Sequence, residues 1–299
     1  MAMKNRLSKA SSGPNLRTRT EKIILSIFFV LFVVYAVTLI LPMVWTAYNS
    51  LKSMRTYNDN PFFVPTFEEM KWDNYVKVFD KNKMTVSIPF AIFNTIWRTV
   101  GSVTISMFFT ACTSYVVCKY CGEFKWLKWI YAFVVTIMII PVLGSTAASY
   151  EINHNILQIA NKPWLYWTSW TTGIGFSFLM LYSAWQSLSW NYAEAAFIDG
   201  ASNFQVFFKI MMPMIRPVLS ALFVVNFIGG WSEYMDTILY MDEWPSLGYL
   251  VYVLQTQSKY FGMPMYFAVI VISMVPTLLV FVAFQETIMK NVTTGGLKG

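Results

Sequence analysis

Five ionisable side chains stand where a largely apolar chain has little reason to keep them. Glu194 and Asp199 lie in the run Asn191-Tyr-Ala-Glu-Ala-Ala-Phe-Ile-Asp-Gly200, between two apolar stretches, and Arg98, Glu233 and Asp236 fall inside further apolar stretches. None of them is set up for covalent chemistry. No G-x-x-x-x-G-K-[ST] cradle for nucleotide phosphates occurs, and Gly173-Ile-Gly175 is only a pair of glycines. A nucleophile activated by histidine needs a base nearby, and His154 is the only histidine in the chain. Cys118-Lys-Tyr-Cys121 is half of a zinc site with no second pair of ligands, so no metal, and no cofactor, is expected. What remains for these charges is recognition: a carboxylate offered to a partner protein, or charged groups lining a path through a membrane.

The elements that position them follow from composition. Hydrophobic residues make up 56% of the chain and charged residues 12%, where a soluble domain carries roughly a quarter charged. A helix rising about 1.5 Å per residue needs roughly 20 apolar residues to cross about 30 Å of hydrocarbon. Runs of that length predict spans over about 23–47, 89–118, 127–150, 168–190, 217–240 and 262–286. The fifth requires Glu233 and Asp236 to sit at the outer interface or face a cavity. The predicted fold is thus an all-α membrane bundle of six spans within 23–290. A basic tail (1–22), an outer loop (48–88), a loop over 191–216 and a short tail (291–299) complete it. No segment is left for a soluble catalytic domain, which needs at least about 50 residues.

Orientation follows from the cations. The first 22 residues carry Lys4, Arg6, Lys9, Arg17, Arg19 and Lys22 against Glu21, and the connection after the second span carries Lys119, Lys125 and Lys128 against Glu123. The positive-inside rule makes both cytoplasmic, and six spans bring the C-terminus to the same side. The net charge of +7 is then a consequence of topology, and nucleic acid is not expected as a partner because no basic patch sits on a soluble domain. The first apolar run exceeds a signal-peptide core of about 7–15 residues and reads as an uncleaved span.

Within the loop 191–216, Asn191 and Glu194 are spaced as a capping box that opens a short helix, and Gly200 suits the left-handed residue that closes it. Ser202 and Gln205 repeat the box. Phe204, Phe207, Phe208 and Met211 recur at i, i+3, i+4 and i+7, giving the second helix one apolar face. Pro213 is expected to end that helix, and Pro217 fits the first turn of the next span. Two uses suit such a hairpin: an amphipathic element lying at the interface, or a docking element for another protein with Glu194 as its charged anchor.

Glu194-Ala195-Ala196, Gly200, Ile210 and Pro213 resemble the EAA loop of permease subunits in binding-protein-dependent ABC importers, E-A-A-x3-G-x9-I-x-L-P, with Met212 where leucine is usual. In that family the loop is the coupling helix, seated in a cleft of the cytoplasmic ATPase. The resemblance therefore implies that Glu194, Ala195, Ala196, Asp199, Gly200, Ile210 and Pro213 form the ATPase contact. Pro65-Thr66, Asp73-Asn74-Tyr75, Val78-Phe79, Asn94-Thr95, Gly101-Ser102 and the ending Thr293-Thr294-Gly295-Gly296-Leu297-Lys298-Gly299 look like the carbohydrate, maltose-type branch. That likeness favours a sugar over an amino acid, phosphate or peptide. It implies a bacterial plasma (inner) membrane protein that is not itself an enzyme and is surrounded by lipid. Its partners would be a second, usually non-identical permease, a dimer of ATPases and an extracytoplasmic sugar-binding protein. The competing functions are a stand-alone gradient-driven carrier and an ABC permease for a non-sugar solute.

For the translocation path the candidates are Glu233, Tyr234 and Asp236, with Arg98 either snorkelling outward or paired with Glu233. Trp164, Trp167 and Trp170 suit interfacial anchors better than sugar platforms. Pro141 and Pro276 are expected to kink the third and sixth spans.

Overall fold

A computed structural model describes residues 19–80, 86–140, 144–165, 175–257 and 262–294, with side chains to residue 286, and among these every regular element is helical. Helix α1 (Arg19–Ser50) is followed by two short helices, α2 (Met54–Asp59) and α3 (Asp73–Val78), and then by α4 (Ile88–Lys119). Helices α5 (Leu127–Ile139), α6 (Ser145–Glu151) and α7 (Phe176–Ser187) lead to α8 (Asn191–Ile198) and α9 (Asn203–Met214). The chain closes with α10 (Arg216–Ser232), α11 (Met235–Tyr240), α12 (Leu247–Thr256) and α13 (Met263–Thr294).

By length and composition α1, α4 and α13 are able to cross a bilayer, and α9 with α10 forms a fourth apolar unit bent by 73°. Helix α4 lies at the centre, packed on α7, α10 and α12, while α13 packs on α10, α1, α12 and α3. None of the apolar window of α1 is buried, against 39% for α4. A helix this apolar with no protein covering most of its surface is suited to lipid on that surface.

Two predicted spans are interrupted. The stretch 217–240 is not one helix: α10 ends at Ser232, Glu233 is extended, and α11 starts again at Met235. The stretch 127–150 stops at Ile139 and resumes after Gly144, whose φ of +80° is left-handed. Pro141 lies outside the described residues, as do Trp167, Trp170, Gly173 and most of the C-terminal motif. Pro276 lies inside α13, which remains helical across it. Helix α12 was not foreseen. Its ten residues are too few to span, and it packs on α4 and α13 instead, burying Leu247, Leu250, Val253 and Leu254.

The segment between α1 and α4 is tied down through its backbone. Asn74 donates to the carbonyls of Ser50 and Lys52, both at 2.8 Å, and Lys52 Nζ donates to those of Asn60 and Pro61 at 3.1 and 3.0 Å. Lys52 is 1% exposed, and burial pushes its pKa down. A long connection with no cysteine thus gains order from one buried ammonium and one amide.

Among the described glycines, Gly248 lies nearest to another segment's backbone. A Cβ there would stand 2.9 Å from the carbonyl oxygens of both Ser232 and Glu233, which are backbone and have no rotamer to yield. Gly248→Ala is therefore expected to lower stability by about 1–3 kcal/mol, the cost of overpacking, measured as a fall in the thermal unfolding midpoint of the purified protein in detergent. An unchanged midpoint would mean that α10 and α12 separate freely.

Candidate functional site: a rooted hairpin and a braced helix break

Helix α8 begins after Trp190, and no side chain caps it, so the predicted box between Asn191 and Glu194 does not form. Asn191 is already inside the helix, its N–H directed at Ser189 Oγ at 3.3 Å. Glu194 in the first turn instead faces the positive end of the helix dipole. The end of α8 is as expected. Gly200 has φ +85°, its N–H donates to the Phe197 carbonyl at 3.0 Å, and Ala201 N–H donates to that of Ala196 at 2.9 Å. These two bonds make a Schellman motif. A Cβ on Gly200 would meet nothing within 4 Å, so its dihedral and not its space calls for glycine.

The second box forms. Ser202 Oγ accepts from Gln205 N–H at 3.4 Å, and Gln205 Oε1 accepts from Ser202 N–H at 2.8 Å. The face of α9, however, differs from the 3.6-residue expectation. Val206, Phe207 and Met211 are buried, whereas Phe204 is 77% and Phe208 45% exposed. Val206–Met211 is π-helical, with Met212 N–H reaching back to the Phe207 carbonyl. Pro213 has no N–H to give Lys209, and the turn ahead of it widens, bringing Phe207, Met211 and Ile215 to one side. Pro213 does not end the helix, which runs to Met214 and bends at Ile215 into α10. Pro217 lies in the first turn of α10, as expected.

This hairpin is rooted in the bundle. Ala193, Ala196, Val206, Phe207, Met211 and Ile215 belong to one core with Tyr115 of α4, Trp185 of α7 and Leu222 of α10. Trp185 Nε1 donates to Ser114 Oγ at 3.0 Å, and the Tyr115 ring meets those of Trp185 and Phe207 at 5.1 and 4.8 Å. Of the sequence-predicted contact residues, Glu194, Ala195, Asp199, Gly200 and Pro213 are exposed, Ile210 is half-buried and Ala196 is buried against the bundle. Neither carboxylate makes an ion pair among the described residues. One face of the hairpin is thus core, and the other leaves Glu194 and Asp199 exposed beside Tyr192, Ile198, Phe204 and Lys209.

About 25 Å away along α10, the second candidate cluster has a different logic from the one expected. Arg98 is 4% exposed, and its Nη2 donates to the carbonyls of Gly230 and Glu233 at 3.0 and 2.8 Å. It meets the backbone of Glu233, whereas the sequence suggested its carboxylate. That carboxylate accepts from Met235 and Asp236 N–H at 2.7 and 3.3 Å, capping α11. A helix that stops in an apolar setting leaves its last carbonyls without donors, and a guanidinium answers that need with two forked N–H groups. The same break is held by side chains that sequence reasoning gave no role. Thr95 Oγ1 accepts from Leu247 N–H at 2.8 Å, Asn94 Nδ2 donates to the Pro245 carbonyl at 3.1 Å, and Ser246 Oγ donates to that of Glu233 at 3.1 Å. For Asn94 and Thr95 the signals in the sequence are their place beside Arg98 within an apolar run and their part in the carbohydrate-branch resemblance; Ser246 carries neither. Tyr234 is 36% exposed and stacks on Tyr252 at 4.9 Å, and Asp236 is half-buried. Trp164, 52% exposed beneath the Lys162 ammonium, belongs to neither cluster.

A helical bundle with a rooted hairpin at one end and a braced helix break towards the other defines a membrane transport subunit. The chain belongs to the family of binding-protein-dependent transport system inner membrane components, whose family model matches residues 10–293. It is 27% identical over 268 residues to a diacetylchitobiose uptake system permease of Streptomyces coelicolor, covering 89% of this chain and 86% of that one. It is 25% identical over 277 residues to a trehalose/maltose transport system permease of Thermococcus litoralis, covering 89% and 94%. The fold is that of a chain in the crystal structure of a bacterial ABC transporter involved in the import of the acidic polysaccharide alginate. The TM-score is 0.72 at 20% identity, covering 91% of this chain and 98% of that one.

Arg98→Met keeps much of the volume and removes the donors to two buried carbonyls. The expected loss of stability is about 1.5–3 kcal/mol, with Arg98→Lys recovering only part because an ammonium lacks the planar fork. Thermal unfolding in detergent checks both, and equal midpoints for Met and wild type would remove Arg98 as the brace.

Proposed function

We propose that this chain is the transmembrane permease subunit of an ATP-driven importer, forming half of the translocation path for a sugar or oligosaccharide delivered by an extracytoplasmic binding protein. It performs no covalent chemistry. The single observation that carries the proposal is the hairpin of α8 and α9. Its buried face shares a core with α4, α7 and α10, and its other face offers Glu194 and Asp199 unpaired. An element rooted in this way moves with the bundle when a partner pushes it, which is what coupling to a separate ATPase requires.

In this proposal 191–216 is a coupling hairpin at the cytoplasmic surface, six spans cross the membrane, and both termini lie inside. A dimer of ATPases docks on the hairpin, and a second, non-identical permease completes the path. The saccharide is carried over from the relatives' names, which specify diacetylchitobiose and trehalose/maltose. The segment Glu233–Asp236 lies at the outer mouth, where Tyr234 stacked on Tyr252 offers an aromatic face to a sugar ring. A gradient-driven carrier would need titrating groups free to bind and release ions, and two of the candidates are otherwise occupied. Arg98 bonds backbone carbonyls, and Glu233 caps α11.

Glu194→Lys and Gly200→Val are expected to insert in normal amounts, since neither lies in an apolar run. The first sets a cation against the basic contact expected on an ATPase. The second forces a β-branched residue into the left-handed region at a cost of about 1–2 kcal/mol. Both should cut sugar uptake about tenfold or more, equivalent to roughly 1.4 kcal/mol in coupling, and both should recover less ATPase on pull-down. Glu68→Gln, an exposed change elsewhere, serves as control. Uptake and pull-down equal to the control in both variants would show that the hairpin is not the coupling element. Sugar accumulation by the chain alone in proton- or sodium-loaded liposomes would support the carrier instead.

A further inference from the structure

Beside the hairpin lies a cavity of 530 Å³ that the transport reading does not use. Its wall on α4 is made by Cys112 and Val116, its far wall by Trp126 and Leu127 at the start of α5, and its floor by Phe204 and Phe207 of α9. The lining is almost wholly apolar, and the size lies in the range of about 300–1,000 Å³ that holds small ligands. Its lining includes side chains of the kind found at a membrane interface. Trp126 is 60% exposed and Phe204 77%, and Phe204 stacks on Phe208, which stacks in turn on Phe108.

Charge completes the description. Lys125 and Lys128 flank the lining residues Trp126 and Leu127, both are exposed, and neither makes an ion pair among the described residues. Glu123 stands on the same turn and leaves a net positive rim. Lys119 is engaged elsewhere, donating to the Leu188 carbonyl at 2.7 Å. An apolar slot with two exposed lysines on the chain beside its lining is complementary to an anionic amphiphile.

We infer that this cavity is a binding site for one anionic phospholipid of the inner leaflet. An acyl chain would fill the space between α4, the start of α5 and α9, with the phosphate at Lys125 and Lys128. The inner-leaflet assignment rests on the orientation proposed above; the complementarity itself does not. Because Phe204 and Phe207 form the floor, and Asn203 beside them is reached by the Tyr120 hydroxyl at 3.4 Å, a bound lipid would brace the hairpin against the connection between α4 and α5.

The test is native mass spectrometry of the full chain, purified in detergent and titrated with dioleoyl-phosphatidylglycerol or dioleoyl-phosphatidylcholine. One phosphatidylglycerol should be retained per chain about thirtyfold more tightly than phosphatidylcholine, the preference two surface lysines supply at about 1 kcal/mol each. Cys112→Trp, which fills the cavity, should abolish that retention. The exposed double change Lys125→Gln with Lys128→Gln, which does not threaten folding, should bring the two lipids level. Equal retention of both lipids by the wild type overturns the inference, as does a phosphatidylglycerol preference unaltered in the lysine double variant. A dimeric mass that Cys112→Trp abolishes would assign the cavity to a second copy of the chain. Binding by the isolated chain needs no ATPase, so this inference and the coupling hairpin can fail independently.

Discussion

A helix that ends among packed apolar helices leaves its last carbonyls short of donors, and the end of α10 is where this bundle meets that need. Water supplies donors to a soluble helix at no structural cost, whereas in an apolar medium each orphaned carbonyl costs several kcal/mol. Helix α10 stops at Ser232, and the donors come from Arg98 and Ser246, with Asn94 and Thr95 securing the connection that follows. Central helix α4 has the position it does partly because it carries three of those four residues. Gly248 fits against the freed carbonyls because it has no side chain. The polar residues of α4 are therefore the condition for a broken helix within an apolar fold, and the segment 233–246 owes its shape to them.

The hairpin at the other end obeys the opposite rule. Its caps are local, made by a glycine turn and a serine–glutamine box. Its attachment, in contrast, is apolar and long-range, through the cluster of Tyr115, Trp185 and Phe207. Soft local caps on a firmly seated base let an element keep its shape while following the helices that hold it.

Much of this was legible from residue types and spacing. Helical character, the positions of the longest apolar helices, the Gly200 turn and the Ser202–Gln205 box all depend on local interactions that sequence periodicity records directly. Misjudgements arose where a distant partner or an unusual turn decided the outcome. Asn191 was taken as a cap because spacing alone cannot tell that Trp190 precedes it in helical geometry. Phe204 and Phe208 share a predicted apolar face with Phe207 and Met211, but a 3.6-residue period does not describe a segment that is π-helical ahead of Pro213, and only Phe207 and Met211 are buried. The continuity of 217–240 was overestimated because the donor that lets the helix stop, Arg98, lies 135 residues from Glu233. Helix α12 escaped notice because ten apolar residues are too few to register as a span.

The nearly bare surface of α1 has a consequence for biogenesis. Its main protein contact is α13, the last helix to be made, and roughly 210 residues separate the two, which at 5–20 residues per second is on the order of 10 to 40 s of synthesis. For that interval the first helix must persist in the bilayer on hydropathy alone, with no tertiary contact from its eventual neighbour. Its mean hydropathy of 3.0, against 1.5 for the protein-covered α4, is matched to that solitary wait. The chain spends its strongest membrane affinity on the helix that has to hold its place before the rest of the bundle exists.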